Sequence, residues 1–150
     1  MRARLQSIRS NEEGYTLIEV LVVVLIIGVL AAIAIPSFLN QTTKATDASA
    51  KELAHSALIA AESYATDHNG SYAGLTLASL PQYDATIQTD PSVGGAYVSS
   101  VGTPTNTGYT ITTTSANRNE TFTLTRSNGA ISRTCTPANG VHGGCTSGSW

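Results

Sequence analysis

The sequence predicts an α+β chain, with one long N-terminal α-helix packed against a small antiparallel β-sheet of about three strands. The lower half of that helix is expected to be transmembrane. Three observations predict this. An almost unbroken apolar run fills residues 14–36 (GYTLIEVLVVVLIIGVLAAIAIP). An alanine-rich segment without Gly or Pro follows at 37–66. Thr-rich stretches at 108–114 (GYTITTT) and 120–126 (ETFTLTR) alternate with apolar residues, which is the period-two pattern of strands.

The bulk numbers narrow the class. The chain has 150 residues, a formal net charge of −2 and only 12% charged residues. With its abundant Ser, Thr, Ala and Gly, this composition fits an exported protein better than a cytosolic enzyme. There is no basic surplus to hold nucleic acid through phosphate contacts. Binding there is expected to be absent or weak, limited to a patch around Arg118, Arg126 and Arg133.

The apolar run is oriented by what precedes it. Arg2, Arg4 and Arg9 lie ahead of Glu12 and Glu13, and basic residues before an apolar segment hold that end in the cytoplasm. The run from Leu17 to Ile35 exceeds the 7–15 residues of an ordinary secretory signal, and no A-x-A-like site follows it before Pro36. It carries one carboxylate, Glu19. An unpaired Glu in a membrane segment costs about 2.5–3.5 kcal/mol, so Glu19 calls for a partner.

Gly14-Tyr15-Thr16-Leu17-Ile18-Glu19 resembles the cleavage and methylation motif of type IV pilins and type II secretion pseudopilins, and the chain is nearest to a type IV pilin. The resemblance implies that a prepilin peptidase cuts between Gly14 and Tyr15 and then methylates the new amine of Tyr15, where the family more often has Phe. It implies that Glu19 pairs with that amine on a neighbouring subunit. Two unit charges about 4 Å apart attract by roughly 4 kcal/mol at an effective dielectric of 20, before desolvation. Gly28 and Pro36 fall where the family has a helix-weakening Gly and a kinking Pro, with either a gentle kink or local melting between them. The implied assembly is a helical homo-oligomer. Implied partners are the peptidase, an assembly ATPase, a platform protein and other minor pilins.

Beyond Pro36 the helix is expected to continue. Leu53, Ala57, Ala60, Ala61 and Tyr64 recur at helical spacing, with Lys51, Glu52, His55 and Glu62 opposite. Gly70 is the expected left-handed cap. Residues 71–106 read as an irregular surface loop with a short helix or strand. Three strands follow over 107–134, joined at 115–119 and by the hairpin signal Asn128-Gly129. A head this small needs the helix and a covalent staple. Cys135 and Cys145 face an oxidising exterior and are read as a disulfide, which matches the disulfide-bounded C-terminal region of many type IV pilins. The rival is a metal site of Cys135, His142 and Cys145, which lacks a fourth ligand.

The expected organisation is a removed leader at 1–14, a transmembrane and polymerisation segment at 15–36 and an amphipathic helix at 37–70. The loop region at 71–106, the meander at 107–134 and the disulfide-bounded region at 135–150 complete it. No nucleophile elbow, phosphate loop or paired metal-ligand spacing appears, so neither catalysis nor a cofactor is expected. Asp84 and Asp90 are weak calcium candidates. The Asn-x-Ser/Thr triplets at Asn40, Asn69 and Asn119 fit chance. The leading expectation is a pilin supporting adhesion, motility or DNA uptake, single-pass in the cytoplasmic membrane and then part of a surface filament. The alternative is a pseudopilin of a type II secretion system. A membrane-anchored enzyme or binding protein ranks third.

Overall fold

The computed structural model describes residues 14–117, 120–137, 144–145 and 147–150. Expectations for residues 1–13, Arg118, Asn119 and His142 lie outside the described residues. The chain forms two compact units, Met1–Ser37 and Phe38–Trp150.

α1 spans Leu17–Asp67 and is helical through both Gly28 and Pro36. Thr16 starts it, its Oγ1 accepting the Glu19 backbone N–H at 3.3 Å. This satisfies one of the donors a helix N-terminus leaves over. At the other end the Gly70 N–H donates to the Ala65 carbonyl at 2.7 Å. Asn69 already has φ of +56° ahead of Gly70 at +82°. The expected glycine cap is therefore a pair of left-handed residues, with Asn69 taking the turn first.

In the second unit, a 3₁₀ turn at Leu77–Ser79 and the short α2 (Leu80–Tyr83) precede four strands. These are β1 (Tyr97–Gly102), β2 (Gly108–Thr114), β3 (Thr121–Ser127) and β4 (Ala130–Thr136), antiparallel in the order β1-β2-β3-β4. The sheet thus has four strands where about three were expected, and the extra one comes from the 71–106 region, read as a loop with a short helix or strand. Its pattern is broken by a bulge. Val98 pairs with Thr113 and Ser100 with Thr112, leaving Ser99 over. Val98 and Val101 consequently share the inner face although they are three residues apart. The hairpin at Asn128-Gly129 forms as expected, with φ of +48° and +85°.

The inner face of the sheet carries Tyr109, Ile111 and Thr113 on β2, and Phe122, Leu124 and Arg126 on β3. Against it lie Ala50, Ala54, Ala57, Ala60 and Ala61 of α1, all at most 1% exposed. Five alanines bring the helix backbone close to the sheet, and the Thr113 hydroxyl can donate to the Ala50 carbonyl at 2.9 Å. Tyr64, Tyr72, Leu75, Leu80 and Ile87 close the main core. The outer face is a lattice of hydroxyls, with Thr110 beside Thr125 at 3.4 Å and Thr112 beside Thr123 at 3.2 Å.

A second cluster joins Ala50 and Phe122 to Cys135 and Cys145. The two cysteines form a disulfide with their Cα atoms 5.6 Å apart. The following residues run along the free edge of β4. The Cys135 N–H donates to the Gly148 carbonyl, the Ser149 hydroxyl to the Arg133 carbonyl, and Trp150 Nε1 to the Thr134 carbonyl.

Ala57→Leu should lower folding stability by about 1–3 kcal/mol, because the close approach leaves no room for three more carbons. A drop in the denaturant midpoint with an unchanged m-value would show it. Reducing the disulfide should cost about 2–4 kcal/mol by the same measurement.

Candidate assembly site

The first unit is built to be covered. The side chains of Leu17, Ile18, Leu21, Leu25, Leu30 and Ile33 are each more than half exposed. This helix is long and apolar enough to cross a membrane, and its most apolar stretch is not buried among the described residues. Burying apolar surface is worth about 25 cal/mol per Å², so the exposed stripe favours lipid or another apolar helix over water.

Gly14 and Tyr15 lie ahead of α1, and Tyr15 is exposed. The Tyr15 ring, Glu19, Val20 and Val23 line one concave patch. Glu19 stands in the first turn of the helix, where the free N–H groups favour a negative charge. Sequence reading passed over Thr16, although Thr16-x-x-Glu19 has the spacing of a capping box. The contact runs from the Glu19 N–H to the Thr16 side chain. The capping bond fixes where the helix begins, and Tyr15 is left just outside it.

Glu62 is the residue the sequence placed wrongly. It was expected on the solvent side of α1 and instead reaches the sheet. Its carboxylate accepts from the Tyr72 hydroxyl at 2.8 Å and the Tyr109 hydroxyl at 3.2 Å. It also pairs with the Arg126 guanidinium at 3.1 Å, and that guanidinium lies 5.6 Å from the Tyr72 ring centroid. The signal was in β3: Arg126 shares the inward face of Phe122 and Leu124, and a charge there demands a partner. Lys51 also turns toward the head, its Nζ 5.2 Å from the Phe122 ring centroid. Glu52 and His55 stay on the exposed side as expected.

Asp84 and Asp90 are engaged in local turns. Asp84 Oδ1 accepts from the Thr86 N–H and hydroxyl, and Asp90 Oδ1 from those of Ser92. These bonds hold both carboxyls below the usual carboxylate range. Among the described residues, no three His, Cys, Asp or Glu side chains group as a metal site would.

Residues 9–35 match the prokaryotic N-terminal methylation motif. The chain is 33% identical over 90 residues to a fimbrial protein of Neisseria meningitidis serogroup B (strain ATCC BAA-335 / MC58), a stretch covering 60% of this chain and 49% of the relative. It therefore spans about half the length of that relative. No solved structure matches.

The Glu62 node predicts an alkaline response. Burial first, and then the Glu62 carboxylate, push the Tyr109 hydroxyl well above its ordinary range, and Tyr72 shifts the same way. The folded state thus holds these protons more tightly than the unfolded chain, in which a phenol titrates near about 10. Their contribution is complete below about pH 10 and is lost as pH rises further. Denaturant midpoints measured from pH 8 to 11.5 should fall, and Tyr109→Phe should flatten that fall. The same variant should cost about 0.5–1.5 kcal/mol at neutral pH through its lost hydrogen bond.

Proposed function

We propose that this chain, a type IV pilin-like prepilin by its N-terminal motif and its fimbrial relative, is a structural subunit of a type IV pilus or related surface filament. The observation that carries the reading is the exposed apolar stripe of α1, with Tyr15 and Glu19 together at its start. Before assembly lipid covers the stripe. After assembly the same stripe on other copies covers it.

In this reading a prepilin peptidase removes residues 1–14 and methylates Tyr15. The α-amine so created is largely protonated at neutral pH. Glu19 of one subunit then meets the amine of the next. In an apolar surrounding each charge is costly alone and far less so beside the other. That difference favours the register in which they pair and sets the stagger between neighbours. The assembly ATPase, the platform protein and minor pilins are the partners this mechanism needs. The subunit itself performs no catalysis. Its destination is the cell surface, where the filament serves adhesion, motility or DNA uptake.

Mass spectrometry of the N-terminal peptide from filaments sheared off the cell surface tests this directly. A dominant species beginning at N-methylated Tyr15 is expected. Processed protein found only in the membrane fraction, with sheared material lacking it, would transfer the chain to the pseudopilins. Retention of residues 1–14 would overturn the reading. Glu19→Ala should lower the yield of sheared filaments at least roughly tenfold, the effect of about 1.4 kcal/mol per subunit contact, while the membrane-bound form persists.

A further inference from the structure

The two edges of the sheet in the second unit differ in the exposed charges they present. At the β1 edge the segment 86–88 runs beside the strand, held by the Val98 N–H donating to the Gln88 carbonyl at 2.8 Å. Between this segment and α1 lies an open groove of about 570 Å³, with Ala48, Ser49, Glu52 and Ser56 on one wall and Thr86, Gln88 and Ala96 on the other. Glu52 is exposed there, and Asp84 and Asp90 flank the same segment in the chain. No Lys or Arg lines this groove.

The β4 edge has the opposite sign. Arg133 is exposed and lies 5.5 Å from the Trp150 ring centroid, and Lys51 approaches the same ring at 6.0 Å. Ile131, two residues before Arg133, is 38% exposed. It lies on the strand face that continues the core, opposite Arg126, and is partly exposed. The β4 edge thus presents an apolar residue and a cation side by side, and the β1 edge presents a groove with alanine walls and an anion.

We propose that the Glu52 groove receives the Ile131–Arg133 edge of a second copy of this chain. The proposal rests on the filament reading above and names the contact between heads. The strand order β1-β2-β3-β4 puts groove and ridge at opposite edges of one sheet. A contact between them is therefore heterologous: each copy uses one edge to receive and keeps the other to offer. Such a contact propagates, and it generates an open helical polymer when the rotation does not close a ring. Charge complementarity fixes its direction, because two acidic edges or two basic edges repel.

Charge exchange in the full-length chain, expressed in cells that assemble it, tests the contact. Glu52→Arg alone and Arg133→Glu alone should each lower sheared-filament yield by roughly tenfold, since each places like charges across the contact. The double variant Glu52→Arg with Arg133→Glu should recover most of the wild-type yield, which also shows that neither change prevents folding. Single variants that assemble normally overturn the contact, as does a double variant no better than the singles. Both results leave the filament reading standing if wild-type filaments form. A wild type that forms no filaments removes both together.

Discussion

A helix surface that its own chain leaves bare is the constraint on which the rest of this protein depends. Among the described residues, the Leu, Ile and Val side chains of the first half of α1 are left largely exposed. In water such a stripe would drive indiscriminate association. The chain deals with it by position and by chemistry. In the proposed reading, basic residues ahead of the run orient it in a membrane, and the one carboxylate near its start, Glu19, makes some apolar neighbours much better than others. Hydrophobic burial is non-directional, so it can hold helices together without aligning them. In that reading a single charge needing a single counter-charge supplies the missing register.

The second half of the same helix solves a different problem, that of building a head around little more than one sheet. Large side chains on α1 would hold the sheet away and leave the hydroxyl of Thr113 short of the helix backbone. Alanines remove that obstacle, and the bulk needed to fill the core comes from the other side: Tyr109, Ile111, Phe122 and Leu124. Glu62 and Arg126 then join helix to sheet at a point where two tyrosine hydroxyls also donate to the carboxylate. An exposed pair of this kind contributes little by itself. Here, half-buried and shared with two phenols, it fixes the helix at one setting on the sheet.

Much of this was legible in the residues. The apolar run, the Tyr15 and Glu19 motif, the alanine stripe, the Asn128-Gly129 hairpin and the two Thr-rich strands each follow from a local pattern with a simple period. What escaped has a physical reason in each case. β1 was hidden because its bulge moves Val98 and Val101 out of period two. Glu62 was misplaced because a helical wheel marks the edge of the stripe poorly, and a long side chain there can reach either way. Thr16 was overlooked because its role is a single hydrogen bond to a backbone group, which leaves no mark in hydropathy. The groove beside Glu52 needs a loop to fold back alongside a strand, and no spacing in the sequence announces such a return.

The run of residues after Cys145 along β4 has a consequence for the life of the chain. A sheet with a bare outer strand is a template on which any extended peptide can add another. At one side the 86–88 segment stands guard, and at the other the Gly148–Trp150 strap does. The strap is tethered to its strand by a bond that forms only under oxidising conditions. While the two cysteines are reduced, the strap lacks this fastening and the end of β4 near Cys135 is more open to strand addition. In the proposed route to the cell surface, oxidation of Cys135 and Cys145 fastens the Gly148–Trp150 strap, which blocks strand addition along that part of β4.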